Sequence, residues 1–430
     1  MTRDELKALQ GRKLAFGLRL LASSNPFYRK KFVEFDAGAV AHALDAGDLD
    51  PLRGLPFTTK SELLHDQERN PPYGTNLSYP RERYVRVHQT SGTSGRPLRW
   101  LDTPENWDWL MGCWNLIYDA VGLTPTDRLF FPFSFGPFLG FWAGFEGACR
   151  RGNFVLAGGG TTTVARLQLA IDHQISCLLC TPTYALRLAE VAEEEGIGIR
   201  DSTIRTLILA GEPGASIPSV RQRIESAFGA RVFDHCGMTE IGSLGIEFES
   251  HPGKTFLLET EAIAEFLDPT TLEPVAEGEL GELVLTNLGR WGSPLLRYRT
   301  GDIVRWRADL TPNGQPFVYL EGGILGRTDE MFYIRGNSVY PTSIETILRE
   351  RADVAEFILE IFETNSGHDL TIVVEPTTQA MPADKLSADI GKSIQDRLHF
   401  RAEVRVAEPG SLPRHEMKAR RIRRFPERRG

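Results

Sequence analysis

The run Ile175-Ser176-Cys177-Leu178-Leu179 is short and apolar, which is typical of a buried strand. Two similar runs follow it along the chain, Thr206-Leu207-Ile208-Leu209 and Arg231-Val232-Phe233-Asp234. Helical patterns occupy the intervening residues 183–195 and 216–228. Because apolar strands that alternate with helices belong to parallel sheets covered on both faces, these residues predict an α/β fold.

The same alternation extends toward the N-terminus and then changes character. Further strands are predicted at residues 128–133 and 153–156, and further helices at 138–150 and 163–173. From about residue 255 the pattern becomes one of short strands and turns, and a linker is predicted at Gly322, Gly323 and Gly326. A small α+β pattern follows, and the basic residues 418–429 are predicted to form a solvated tail.

We therefore predict two domains. The large N-terminal domain, residues 1–328, has doubly wound sheets plus a β-rich subdomain and holds the ligand sites. A small mobile α+β C-terminal domain comprises residues 329–430. In open parallel sheets, ligands bind beyond the carboxyl ends of the strands. Polar clusters follow those ends at residues 158–161, 181–183, 211–214 and 235–240, which favours an enzyme that acts on a small molecule.

A glycine-rich loop, His88-Gln89-Thr90-Ser91-Gly92-Thr93-Ser94-Gly95-Arg96-Pro97, lies between two runs that alternate like strands. Its glycines allow the backbone to approach a ligand closely, and its hydroxyls and guanidinium suit phosphate. From composition alone, a phosphate-binding hairpin tip and an ordinary Gly/Ser hairpin loop are equally good interpretations.

Composition narrows the class of protein. The net charge of −8 over 430 residues argues against a nucleic-acid binder. The N-terminal residues lack the uncharged core of a signal peptide, and no apolar run reaches the length of a membrane span, so we expect a cytoplasmic protein without membrane contact. Five cysteines form no disulfide framework, and Cys177 and Cys180 are predicted to point to opposite faces of one strand as core thiols.

Several motifs together resemble the adenylate-forming enzymes, the superfamily of acyl-CoA synthetases, peptide-synthetase adenylation domains and luciferases. These are the glycine loop, His235-Cys236-Gly237-Met238-Thr239-Glu240, Tyr298-Arg299-Thr300-Gly301-Asp302, Gly326-Arg327-Thr328-Asp329 and Pro413-Arg414-His415-Glu416-Met417-Lys418. Within that superfamily the chain is similar to the phenylacetate–CoA ligase branch. Supporting stretches include Leu55-Pro56-Phe57-Thr58-Thr59-Lys60 and Gly211-Glu212-Pro213.

The resemblance implies activation of a carboxylic acid by ATP, followed by transfer of the acyl group to coenzyme A. Phosphate contacts would come from Ser91, Gly92, Thr93, Ser94, Gly95 and Arg96. Adenine would be flanked by Gly211, Glu212 and Pro213 and by Asp234, His235, Cys236, Gly237 and Met238. Thr239 would contact the α-phosphate, Glu240 would hold Mg²⁺, and Asp302 would accept hydrogen bonds from ribose.

Three further roles are implied for the C-terminal part of the chain. Lys418 would bridge the carboxylate and the α-phosphate in the transition state, and Arg327 would contact ribose or phosphate. Asp329 would be the hinge about which the small domain rotates between the two steps.

The predicted substrate is an aromatic acid, because many aromatic rings lie between the glycine loop and the motif at residues 235–240. Its pocket is predicted to be lined by Phe133, Phe135, Phe138, Phe141, Trp142, Gly211 and Met238. The same rings also suit an ordinary core, and we expect about half of them to belong to it.

Departures from the family pattern leave alternatives open. Cys236 stands where an aromatic residue is usual, and Arg96 replaces a lysine. Ser250 stands where a zinc-binding cysteine would be sought, so we expect no structural zinc. The acceptor could instead be an amine, a carrier-protein thiol or a nucleophile within the substrate; a non-catalytic adenylate-binding protein is a more distant alternative. The sequence leaves open whether the protein forms a homodimer.

Overall fold

The computed structural model describes residues 1–90, 97–334, 337–364, 367–377, 381–415 and 419–426. The helices in this part of the chain are α1 (Arg3–Ser24), α2 (Pro26–Lys31), α3 (Ala37–Asp45), α4 (Lys60–Arg69), α5 (Pro104–Ala120), α6 (Trp142–Arg151), α7 (Thr163–Asp172), α8 (Pro182–Glu194), α9 (Pro218–Phe228), α10 (Pro341–Arg349) and α11 (Ala383–Leu398). None of these helices is long and apolar enough to cross a membrane.

The strands in the same residues are β1 (Arg86–Gln89), β2 (Arg99–Asp102), β3 (Arg128–Phe131), β4 (Phe154–Ala157), β5 (Cys177–Cys180), β6 (Thr206–Ala210), β7 (Arg231–Met238), β8 (Gly242–Glu247), β9 (Lys254–Leu257), β10 (Ala262–Leu267), β11 (Leu280–Asn287), β12 (Tyr298–Leu310), β13 (Pro316–Arg327), β14 (Phe332–Ile334), β15 (Asn337–Val339), β16 (Val354–Thr364), β17 (Gly367–Pro376), β18 (Glu403–Val406) and β19 (Ile422–Phe425).

One mixed sheet dominates the large domain, which confirms the α/β fold class. Its described strands run in the order β10-β11-β12-β13-β9-β8-β7-β6-β5-β3-β4. The pairs among β4, β3, β5, β6 and β7 are parallel, and those from β7 to β10 are antiparallel. The β-rich residues therefore continue the parallel sheet by backbone hydrogen bonds.

Strand β5 shows how both faces of the sheet are covered. Cys177 and Leu179 belong to one hydrophobic cluster, whereas Leu178 and Cys180 belong to another. This alternation confirms the sequence-based placement of the two thiols on opposite faces, where burial raises their pKa values and leaves them protonated.

The small domain has its own sheet and core. Strands β18, β17, β16 and β19 pair in that order, and α10 and α11 contribute buried residues to the same cluster, among them Ile344, Leu386 and Ile390. An independent core allows this domain to change its position as a unit.

Four local predictions were wrong. Helix α6 begins at Trp142 and not at residue 138, because Gly136, Pro137 and Gly140 interrupt the helical pattern. Strand β7 runs on through His235 to Met238, since its partner β8 turns back along it. The predicted linker glycines lie inside β13, where Gly322 and Gly323 have positive φ angles of 77° and 70°. In the predicted solvated tail, Arg421 is buried and β19 pairs with β16.

Candidate active site

Neighbouring strand ends bring the predicted polar clusters together. Residues 181–183 follow β5, residues 211–213 follow β6, and β7 carries residues 234–238 beside them. The parallel register pairs Leu209 with Asp234 and Ala210 with His235. The two segments predicted to flank adenine therefore lie side by side, while their contacts with a nucleotide stay a prediction.

Asp302 is joined to the predicted hinge through Arg327. The two residues face each other across β12 and β13, and Nη1 of Arg327 donates to Oδ1 of Asp302 at 2.7 Å. The Nε of the same arginine donates to Oδ1 of Asp329 at 2.9 Å. Burial opposes its charge, but these two carboxylates raise the pKa of Arg327. The predicted ribose-binding and hinge carboxylates thus share one cation.

Glu240 is buried and has two partners that orient its carboxylate. Its Oε1 lies 3.3 Å from Nζ of Lys60 and accepts a hydrogen bond of 3.3 Å from the hydroxyl of Tyr298. Burial, and then the negative charge of Glu240, raise the pKa of Tyr298, so its hydroxyl stays a donor. A carboxylate oxygen that already attracts an ammonium group has the donor chemistry and charge that Mg²⁺ requires.

The position of Lys60 follows from the helix that it begins. Thr59 caps α4 through a reciprocal capping box with Glu62, so the chain enters the helix in a fixed direction. Immediately before it, the backbone of Thr58 pairs with the start of β12 through hydrogen bonds to Arg297 and Arg299. Lys60 is consequently held beside the motif that contains Tyr298.

Arg290 holds the turn that carries Thr239 and Glu240. Its Nη1 donates to the carbonyl oxygen of Thr239 at 2.6 Å, and its Nε and Nη2 donate to the two carboxylate oxygens of Asp102. Burial would raise the pKa of Asp102, but Arg290 and His88 together lower it. The pair therefore stays charged although neither side chain is exposed.

Residues 91–96 of the glycine loop lie outside the described residues. They are the six predicted phosphate contacts, from Ser91 to Arg96. Lys418 also lies outside the described residues. The base of the loop is described. Strands β1 and β2 form the predicted hairpin, and Thr90 and Leu98 exchange hydrogen bonds where the loop leaves it. The backbone of Gln89 donates to the carbonyl of Pro137, which places the loop base against the aromatic segment.

The predicted aromatic pocket forms one cluster of rings. Phe133 lies 5.1 Å from Phe135 and 5.6 Å from Phe141 between ring centroids, and Phe135 lies 4.4 Å from Trp142. Phe133 and Phe141 belong to the core, whereas Phe135 and Trp142 are half-buried and pack against it. The half-buried Phe138 packs over the backbones of neighbouring glycines. Two of these five rings lie in the core and three are half-buried, in agreement with the expectation that about half of them belong to the core.

Strand β7 contributes both to this cluster and to the predicted adenine side. The ring of His235 lies 4.7 Å from Trp114 and 6.5 Å from Phe141. Burial lowers the pKa of His235 to about 4, so it is neutral at physiological pH. Its Nδ1 lies 2.6 Å from the carbonyl oxygen of Gly245, which can only accept, so Nδ1 carries the proton. The imidazole of His235 is therefore a neutral ring buried against this aromatic cluster.

The neighbouring strand explains how Cys236, the residue after His235, fits on β7. Cys236 is paired with Gly245 on β8, and a Cβ built on that glycine would lie only 2.1 Å from the Cys236 sulfur. Burial raises the pKa of the Cys236 thiol, which is therefore protonated. The sulfur occupies the space that the missing side chain leaves.

Family comparisons agree with this geometry. Residues 41–289 match the model of the AMP-binding enzymes, and residues 336–424 match the model of the AMP-binding enzyme C-terminal domain. The chain belongs to the AMP-binding enzyme family. Within this adenylate-forming family it is a member of the ATP-dependent, AMP-forming acyl-CoA ligases.

Relatives of this AMP-binding enzyme match over its full length. Phenylacetate-coenzyme A ligase of Pseudomonas putida is 30% identical over 97% of this chain and 93% of that protein. A structure of 2-hydroxyisobutyryl-CoA ligase in the postadenylation state is 29% identical, with a TM-score of 0.91 over 100% of this chain and 91% of that one. The same ligase in the thioesterification state gives a TM-score of 0.73 over 99% and 91%. Since the identity is equal, the difference in TM-score reflects domain arrangement, and this AMP-binding enzyme is arranged more like the postadenylation structure than like the thioesterification structure.

Sequence patterns did not predict the roles of three cations, of which Arg290 and Arg421 are buried and Lys60 is half-buried. Lys60 was quoted only as part of a family stretch, Arg290 was not singled out, and Arg421 was assigned to a solvated tail. Only Lys60 had a usable signal, since it follows a helix cap within a family motif. Arg290 and Arg421 find their carboxylate partners, Asp102 and Glu356, 188 and 65 residues away, and such pairings are invisible in local patterns.

Proposed function

We propose that this protein is an aryl-CoA ligase, which activates an aromatic acid of the phenylacetate, benzoate or aminobenzoate type with Mg–ATP and transfers it to coenzyme A. The observation that carries the choice of an aromatic acid is the ring cluster of Phe133, Phe135, Phe141 and Trp142 beside β7. Aromatic rings pack on a flat aryl group in offset and edge-to-face geometries. The similarity to a phenylacetate-coenzyme A ligase supports the same choice.

The first step forms a bond between a carboxylate oxygen of the acid and the α-phosphorus of ATP. The bond from that phosphorus to the bridging oxygen breaks, and pyrophosphate leaves. Because negative charge develops around phosphorus, the protein must supply cations and hydrogen-bond donors. We assign this role to Lys418, to Arg96 with its loop, and to Mg²⁺ held by Glu240. Asp302 would accept hydrogen bonds from the ribose hydroxyls.

The second step breaks the acyl–phosphate bond made in the first. The thiol sulfur of coenzyme A attacks the acyl carbon, AMP leaves with the bonding electron pair, and the thiol proton passes to solvent. Membership in the AMP-forming acyl-CoA ligases supports coenzyme A as the acceptor in place of an amine or a carrier protein.

Product analysis by mass would test the proposal. The protein is incubated with Mg–ATP and a panel of benzoates, phenylacetates, aminobenzoates and 2-hydroxyisobutyrate, with and without coenzyme A. We expect an aryl-CoA mass that needs both ATP and coenzyme A. An aliphatic acyl-CoA as the main product would overturn the aromatic assignment. An amide or cyclised product formed without coenzyme A would show that the acyl acceptor is an amine or a nucleophile within the substrate.

Substitution of Lys418 tests the catalytic assignment. We expect Lys418→Ala to lose acid-dependent pyrophosphate formation while its unfolding midpoint stays that of the wild type. Unchanged adenylation by this variant would remove Lys418 from the mechanism.

A further inference from the structure

Glu212 joins the two domains through both of its carboxylate oxygens. In the large domain, Oε1 accepts a hydrogen bond of 2.9 Å from the backbone N–H of Thr183, in the first turn of α8. In the small domain, Oε2 accepts a hydrogen bond of 3.0 Å from the backbone N–H of Ala419. The side chain is only 4% exposed, so water does not compete for either oxygen.

Arg421 reaches across the same boundary from the other side. Two hydrogen bonds of 2.7 and 3.0 Å to Glu356 on β16 anchor its guanidinium in the small domain. Its Nη2 also donates to Oγ1 of Thr183 at 2.9 Å, and its Nη1 lies 3.6 Å from Oε2 of Glu212. The carboxylate of Glu212 thus meets a helix N-terminus, a backbone N–H and a guanidinium, which together fix its orientation.

We propose that Glu212 is a positioning residue that fixes the backbone next to Lys418 in the adenylation arrangement of the domains. Ala419 follows Lys418 directly in the sequence, and the hydrogen bond from its N–H to Glu212 therefore holds the residue next to the lysine. The inference deepens the proposed function and rests on it. It also gives Glu212 a role beyond the predicted one beside adenine.

The contacts of Glu212 depend on how the domains are arranged. The chain superposes well on the postadenylation state of its relative and much less well on the thioesterification state, so a second arrangement is available to this fold. A rotation of the small domain separates Ala419 and Arg421 from Glu212. An interaction present in only one of two arrangements shifts the balance toward that arrangement.

Measurement of the two half-reactions tests the role. Glu212→Ala removes both carboxylate oxygens. Glu212→Gln replaces one of them with an NH₂ group, which would then face the backbone N–H of either Thr183 or Ala419. We expect acid-dependent ATP–pyrophosphate exchange to fall by at least about tenfold in both, as for a lost hydrogen bond to a charged group. Thioester formation from the supplied aryl-adenylate should stay within about twofold of the wild type, since it does not use the Glu212 contacts. Both half-reactions are measured at saturating substrate concentrations, so that the predicted contact of Glu212 with adenine does not affect the comparison.

The control variant is Glu259→Gln. Glu259 is also buried and accepts hydrogen bonds from the N–H of Val318 and from Arg3, all within the large domain. We expect it to lower the unfolding midpoint while the ratio of the two half-reaction rates stays that of the wild type. Equal loss of both half-reactions in the Glu212 variants would overturn the proposal.

A conformational measurement keeps this proposal separable from the proposed function. Spin labels are attached to cysteines introduced at two exposed positions, Glu195→Cys in the large domain and Lys385→Cys in the small domain. The exposed native thiol is removed by Cys149→Ser. The distance between the two labels reports the arrangement of the domains. We expect Glu212→Ala to reduce the population at the distance that the wild type favours, whether or not any acid in the panel reacts. An unchanged distance distribution would refute the role of Glu212 even if aryl-CoA synthesis is confirmed.

Discussion

The guanidinium of Arg290 faces the carboxylate of Asp102 through two hydrogen bonds of 2.6 and 2.7 Å, in a site where neither side chain is exposed. Asp102 ends β2, the second strand of the hairpin that bears the glycine loop. Because Arg290 also donates to the carbonyl of Thr239, one buried pair connects that hairpin to the turn that carries Glu240.

Arg290→Met is expected to be strongly destabilising because it leaves the buried carboxylate of Asp102 without its guanidinium partner. Breaking a buried pair on one side costs about 3–5 kcal/mol in the free energy of unfolding. Urea denaturation measures this loss, and the double variant Arg290→Met with Asp102→Leu should recover part of it. A double variant no more stable than Arg290→Met alone would contradict the pairing argument.

Lys60→Met should lower the concentration of Mg²⁺ needed for half-maximal adenylation. The ammonium group of Lys60 competes with a metal ion for the carboxylate of Glu240, at an N–O distance of 3.3 Å. Titration of Mg²⁺ at fixed ATP measures the effect. Lys13→Met serves as the control, since Lys13 pairs with Glu261 at a distance of 3.0 Å instead. A higher requirement for Mg²⁺ in Lys60→Met would show that the two cations do not compete.

Asp302→Asn should weaken ATP binding by at least about tenfold, because an amide accepts hydrogen bonds from hydroxyls more weakly than a carboxylate does. Isothermal titration with a non-hydrolysable ATP analogue would measure the dissociation constant. Asp309→Asn is a matched control on the same strand, where Asp309 pairs with Lys254 near the surface. Equal affinities of the two variants would argue against a ribose contact at Asp302.

Asp234→Asn should flatten the dependence of stability on pH. Burial, and then repulsion from Glu247, raise the pKa of Asp234 above its ordinary value, whereas in the unfolded chain it titrates near about 3.9. Above that pH the folded protein binds more protons than the unfolded chain, so the free energy of unfolding falls as the pH rises toward neutrality.

The asparagine variant does not titrate at this position. Between pH 4 and 8, the urea midpoint should therefore decline less for the variant than for the wild type. At pH 8 the variant should be the more stable of the two proteins. A parallel decline in both proteins would show that Asp234 is ionised in the fold.

Local patterns were sufficient for the fold class and for the helices and strands that bury a regular face. The alternation around Cys177 and Cys180 is an example, because strand geometry alone determines which face each side chain reaches. The helix predicted at residues 163–173 is likewise confirmed, since α7 spans Thr163–Asp172.

Apart from the start of α6, the failures have their origin in pairing with other segments of the chain, near or distant. Strand β7 extends to Met238 because β8 supplies its hydrogen bonds, and Gly322 lies in a strand because β12 lies beside it. Arg421 is buried because Glu356 and Glu212 neutralise it, although its own neighbours in sequence are basic. Propensity and local charge carry no information about such partners.

Under the proposed function, the guanidinium of Arg327 couples nucleotide binding at Asp302 to the backbone geometry at the predicted hinge, Asp329. A backbone change at Asp329 that withdraws its carboxylate leaves Arg327 wholly to Asp302, and a ribose that engages Asp302 frees Arg327 for Asp329 or for phosphate. Any free energy by which the nucleotide favours one hinge angle is the same free energy by which that angle favours the nucleotide. Arg327 therefore couples the predicted nucleotide site to the predicted hinge. The affinity for AMP is predicted to differ between the two domain arrangements.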